Sequence, residues 1–176
     1  MSDVKKQFSQ GKNAYNFSVH NVFIKDLSFE APNTPRIFSL DWNPKVEFNL
    51  EMGANQISKG LWESMLDVTV TVNLNIDKNK REAHGGKEVE TAFIAEVKQA
   101  GVFSVDGFTE DQTDRILSMT VPSILFPYIR EVVSNLVSRG GFPQFILPPM
   151  NFESMYEQRK SNSNKTNALP KGNVTL

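Results

Sequence analysis

His20 and His84 are the only imidazoles in this 176-residue chain, and it has no cysteine. Without Cys there is no thiol nucleophile, no disulfide and no cysteine-ligated zinc or iron–sulfur site. The two histidines fall in no HxH or HExxH spacing, so no zinc site is expected. His20 reads as a structural or surface residue of a strand and His84 as part of a charged hairpin tip. No Gly-rich phosphate loop follows a strand, and GxSxG is absent. Asp26 and Glu30 form an acidic pair. Acid–base catalysis by carboxylates needs a cleft and tuned pKa values, and the neighbouring residues announce neither. The pair is either a solvated surface feature or a docking patch for a basic partner. No catalytic residue, metal ligand or cofactor follows from these positions, and the chain is not expected to be an enzyme.

Phenylalanine is the conspicuous residue instead. There are 13, many beside Pro or Gly. One small core cannot cover that many loop aromatics, so they pack within the chain or line an interface or apolar groove. The formal net charge of −1 gives no general case for nucleic-acid binding. No uninterrupted apolar run reaches the roughly 18 residues of a membrane span, so no direct membrane insertion is expected. The first twenty residues carry charge without an apolar stretch and do not read as a secretory signal.

These residues need elements to position them. Residues 1–14 are polar and read as a mobile tail. Residues 15–30, YNFSVHNVFIKDLSFE, read as a strand from their β-branched and aromatic content. Pro32, Pro35 and Pro44 then impose a long extended connection carrying Ile37, Phe38 and Trp42. KVEFNLEM, residues 45–52, alternates as a half-buried antiparallel strand. Residues 61–76 alternate for longer, with Trp62, Ser64, Leu66, Val68, Val70, Val72, Leu74 and Ile76 on one face. Residues 77–88 form a charged hairpin tip, and 89–105 a fourth strand in which Gly101 marks a bulge or bend. Four successive strands point to an antiparallel meander with one crossover.

From Thr109 the period becomes helical, opened by a capping box with Gln112. Pro122 and Pro127 break or kink this helix, and Gly140–Gly141 end it. Its apolar residues exceed one stripe, so it is buried on two sides or forms an oligomer interface. FPQFILPP is an apolar extended loop, Asn151 caps a short helix over 152–160, and 161–176 read as a disordered tail. The fold class is α+β: a four-stranded antiparallel sheet with a long kinked helix and a short C-terminal helix.

Several segments are also recognisable. KDLSFEAPNTP (25–35), DWNPKVEFNL (41–50), TAFIAEVKQAGVFSV (91–105) and PSILFPYIREVVSNLVSRGGFPQFILPPMNFESMY (122–156) lie in one order. Together they resemble the signature segments of the SecB family of export chaperones. The resemblance spans about residue 15 to residue 156 and implies a chaperone domain over 15–160. It implies a cytoplasmic, ATP-independent holdase without cofactor. Such a protein binds unfolded precursor polypeptides in apolar grooves, keeps them translocation-competent and delivers them to the translocation ATPase SecA. It implies a homotetramer built as a dimer of dimers. Carried onto this chain, the groove residues are Phe38, Trp42, Leu125, Phe126, Phe142, Phe145, Leu147, Phe152 and Tyr156. The SecA-docking residues are Asp26, Glu30, Ile94 and Glu96, of which Ile94 and Glu96 share a strand face.

The chain departs from the family in being near neutral, in having Lys160, Lys165 and Lys171 but no acid after Glu157, and in its longer, basic hairpin tip. These features suit a SecB-like general or toxin–antitoxin-linked holdase not dedicated to export. An ordinary β-sheet small-molecule-binding or structural domain, whose apolar loops complete its own core, is a further alternative, and a hydrolytic enzyme using Asp or Glu is a third with little to support it.

Overall fold

The computed structural model describes residues 15–77, 79, 85–86, 88–163 and 173–175. Strands β1 (Asn16–Glu30), β2 (Pro44–Ser58), β3 (Leu61–Asn75) and β4 (Val89–Asp106) form one antiparallel sheet. Its order is β1-β4-β3-β2, continued by a short strand β5 (Asn173–Thr175) on the free edge of β2. The crossover is the connection from β1 to β2, which passes from one edge of the sheet to the other. The expected hairpin tip and N-terminal tail lie largely outside the described residues.

Period-two alternation places the core. Leu66, Val68, Val70, Val72 and Leu74 of β3 are buried, with Phe48 and Leu50 of β2 and Phe93, Ala95, Val97, Phe103 and Val105 of β4. Gly101 marks no bulge. It pairs in register with Val22 and Ser64, and the Phe103 ring lies over it, where a Cβ would come within 2.7 Å. The register shifts fall elsewhere, at His20 and Lys25 in β1, Ile57 in β2 and Ala92 in β4. β2 also runs past its alternating segment through Gly53–Ser58, because β3 offers a continuous ladder for residues of low strand propensity to join.

Helix α1 (Glu110–Arg115), a π turn (Ile116–Thr120) and α2 (Val121–Arg139) run on without a break. The capping box is formed: Thr109 Oγ1 accepts from Gln112 N, and Thr109 N donates to Gln112 Oε1. The π turn precedes Pro122, which sits in the first turn of α2, so the ladder widens where the donor is missing. Pro127 lies inside α2 and does not end it. By length and mean hydropathy this helix is apolar enough to cross a membrane, which counting uninterrupted apolar runs overlooked. Here one face of it, with Val121, Leu125, Phe126, Ile129, Val133 and Val137, is buried on β4 and β3. After Gly141 (φ +80°) comes the extended loop 142–151. Asn151 caps α3 (Phe152–Ser163) by accepting from Ser154 N. The helix thus continues through residues 161–163, beyond the boundary expected for it.

Candidate functional site

The crossover, residues 31–43, is not simply extended. It makes a turn and then one 3-10 turn, Arg36–Ser39. Ile37 is buried and anchors it in the core. The next residue, Phe38, and then Trp42 stand out from the surface, 52% and 41% exposed. Both lie against Phe142, with ring centroids 5.1 and 6.1 Å away. Phe142 in turn contacts Phe93 at 5.0 Å and Phe29 at 6.3 Å. Gly140 makes this cluster possible, since a Cβ there would lie 2.5 Å from the Phe29 ring. The result is an aromatic ledge: a floor of the buried Phe93 and Phe142 and the half-buried Phe29 beneath two exposed rings.

The nine expected groove residues therefore divide. Phe38 and Trp42 are exposed and Phe145 is half-buried. Leu125, Phe126, Phe142, Leu147, Phe152 and Tyr156 are buried within the single chain. Each of these six has a partner. Leu125 and Phe126 belong to the face of α2 that packs on the sheet. Phe126 meets Phe152 edge to face at 5.6 Å. Arg130 Nε donates to the Leu147 carbonyl at 2.8 Å, which holds the loop on α2. The Tyr156 hydroxyl donates to Asp114 Oδ2 at 3.0 Å. Of these six, Phe142 is the one on which the exposed rings rest; the others pack within the chain. Ile146, which the sequence did not single out, is 55% exposed in the same loop as Phe145.

A second surface lies on the sheet face opposite the helices. Glu30 pairs with Ile94, Ser28 with Glu96, and Asp26 with Lys98, so Asp26, Glu30, Ile94 and Glu96 come together on one face of β1 and β4. Ser28 Oγ donates to Glu96 at 3.2 Å. The acidic character continues across the sheet, because Asp67 is opposite Lys98 and Glu51 is opposite Asp67. A shallow hollow there is lined by Asp26, Glu51, Asp67, Glu96 and Lys98. Lys98 Nζ lies 2.9 Å from Asp67, and that hydrogen bond and charge, with Asp26 and Glu51 nearby, hold the lysine above its ordinary pKa. Lys98 is a cation in the middle of the acidic face, and no motif pointed to it.

The family described as preprotein translocase subunit SecB matches residues 10–163. This chain belongs to the SecB family. It is similar to the protein-export protein SecB of Methylococcus capsulatus, 44% identical over 143 residues that cover 81% of this chain and 84% of the other. With the SecB of Chromohalobacter salexigens it shares 40% identity over 164 residues, covering 91% and 93%. Among solved structures it matches a SecB-like chaperone of Mycobacterium tuberculosis in complex with a ChAD peptide from the HigA1 antitoxin. That likeness has a TM-score of 0.52 at 16% identity and covers 77% of this chain and 91% of the other, a likeness of fold. The SecB family supplies the protein-export chaperone function.

Proposed function

We propose that this protein is a cytoplasmic, ATP-independent holdase. It binds unfolded precursor polypeptides on the aromatic ledge, keeps them translocation-competent and presents them to SecA through the acidic sheet face. The observation that carries the first half is the exposure of Phe38 and Trp42 above a floor of buried rings. Apolar burial is worth roughly 25 cal/mol per Å² and demands no matched geometry, so such a surface holds many sequences weakly. Several ledges in one tetramer raise avidity, because a second contact by the same client is intramolecular. A client bound while unfolded is withdrawn from its own folding equilibrium by mass action.

Asp26, Glu30 and Glu96 around Ile94 form an apolar point ringed by carboxylates, suited to a basic partner such as a docking segment of SecA. Lys98 supports a second reading, a SecB-like holdase serving clients or a toxin–antitoxin pair outside export, because it subtracts charge from the surface that steers SecA. Native mass spectrometry with a denatured precursor, followed by titration with SecA, tests both. A tetramer–client complex that SecA also binds supports the export reading. A tetramer that holds client and ignores SecA supports the second, and a chain that holds no client refutes both.

A further inference from the structure

Glu90, the second residue of β4, has a fully buried side chain, and its carboxylate lies 2.6 Å from the Arg36 guanidinium. Arg36 opens the 3-10 turn that carries Ile37 and Phe38. From this we infer that Glu90 and Arg36 are positioning residues for client binding: their ion pair fixes the crossover so that Phe38 and Trp42 stand over Phe142. The inference rests on the ledge being the client surface.

The crossover has two halves. The inner half is stitched to the sheet. Asn33 Nδ2 donates to the Thr91 carbonyl at 2.9 Å, and Arg36 donates to Asn33 Oδ1 at 3.3 Å. Thr91 Oγ1 donates onward to Asn73 Oδ1 at 2.9 Å, so the polar chain reaches β3. Ile37 is buried beside these contacts. The outer half, from Phe38 to Asn43, lies on the surface, with its two rings resting on Phe142. Apolar contacts alone permit sliding. A buried carboxylate fixed to one guanidinium does not, and its desolvation makes it a poor choice for stability alone. Its use at the root of the ledge is that of a pin: the rings are held in place before a client arrives, and binding need not order them.

The test uses the full chain in a Trp62→Phe background, so that Trp42 is the only indole, and reduced, carboxymethylated α-lactalbumin as the permanently unfolded probe. Glu90→Gln or Arg36→Met alone leaves one charge of the pair uncompensated and can unfold the protein, so the deciding variant is Arg36→Met with Glu90→Gln, which removes both charges. Its melting temperature should stay close to that of the parent, amide exchange over 38–43 should quicken, and Trp42 emission should move to the red. Probe affinity should fall about tenfold, as expected when ordering of the rings is charged to binding. Arg36→Lys, which keeps the charge, should recover most of the affinity. Unchanged exchange and emission in the folded double variant would overturn the pin, and a released loop with unchanged probe affinity would overturn its role in binding. If the parent itself holds no probe, the holdase reading and the client half of this inference fail together, while exchange and emission still judge the pin.

Discussion

Phe38 covers Phe142. The two rings are inclined by 45° with centroids 5.1 Å apart, the outer half-exposed and the inner buried. The first ring can change partner at small cost to the fold; the second cannot, because it also meets Phe93 and Phe29. This difference sorts the apolar residues of the ledge by what their removal does.

Changing Phe38 and Trp42 together to Ser removes exposed contact area. Each ring is worth roughly 1 to 3 kcal/mol when a client covers it, so client affinity should fall by an order of magnitude or more. Thermal melting should move little. A titration with unfolded polypeptide alongside a melt checks both, and unchanged affinity in the folded variant counts against the ledge.

Phe152→Ala tests the opposite class. Phe152 is buried against Phe126, so its loss should destabilise the chain by about 3 to 5 kcal/mol through cavity formation. Phe145→Ser, at a half-buried position, should cost much less. Chemical denaturation of the two variants separates them; equal destabilisation would place Phe145 in the core as well.

Much of this was legible in the sequence. The alternation from Trp62 to Ile76 survives because one face of β3 is covered by α2 and the other is not. The capping box, the Asn151 cap and the stop at Gly140 depend on local hydrogen bonding and were read from local sequence. What failed to show depends on partners far along the chain. Phe142, Phe145 and Phe152 look alike as aromatics in a Pro-bounded segment, and only packing against Phe93 and Phe126 distinguishes them. The Arg36–Glu90 pair gives no local signal, since each residue reads as a surface charge until the crossover brings them together. Gly101 looked like a bulge because a glycine in a strand serves either a bulge or a close approach, and the Phe103 ring decides for the second.

On the sheet face, Asp26→Lys with Glu30→Lys should weaken SecA binding and leave client holding intact, because exposed charges support the fold weakly. Lys98→Glu should strengthen SecA binding by restoring charge to the same surface. Calorimetry with SecA and an aggregation-suppression assay distinguish the effects. Equal loss in both assays for the double reversal would show a structural pair instead.

Acid should loosen α3. Lys160 Nζ lies 2.6 Å from Asp111 and holds that carboxyl below its usual value, while the lysine is pushed well above its own. A carboxyl whose pKa is lowered by folding stabilises the fold above its unfolded value, and that contribution is lost as pH falls through the lowered one. The bridge should therefore persist through neutral and alkaline pH; its stabilising contribution should begin to decline below about pH 3.9, the ordinary Asp value, and the bridge itself should break only as pH falls through the lowered one. Both groups are exposed, so the effect should be local. Amide exchange across α3 against pH should show an acid component that Asp111→Asn abolishes; an identical profile in that variant would mean the bridge plays no part.

Oligomer state is the last expectation, and the single chain leaves two apolar surfaces for it. Along α2, Ile124, Tyr128, Val132 and Leu136 repeat every fourth residue outside the buried stripe, with Tyr128 47% exposed. Along β1, Val19, Phe23, Ile24 and Leu27 are exposed on an edge strand that pairs only with β4 among the described residues. Exposed edges and apolar rows of this size are seldom left bare in water. Two distinct surfaces are what a dimer of dimers requires, one for each kind of contact. Sedimentation of the wild type at micromolar concentration should give four times 19.8 kDa. Tyr128→Glu with Val132→Glu should halve that mass, Val19→Lys with Ile24→Lys should halve it by the other contact, and the four changes together should give a folded monomer. A wild-type monomer would refute the assembly. Dissociation straight to monomers by either pair alone would mean that the two surfaces serve one interface.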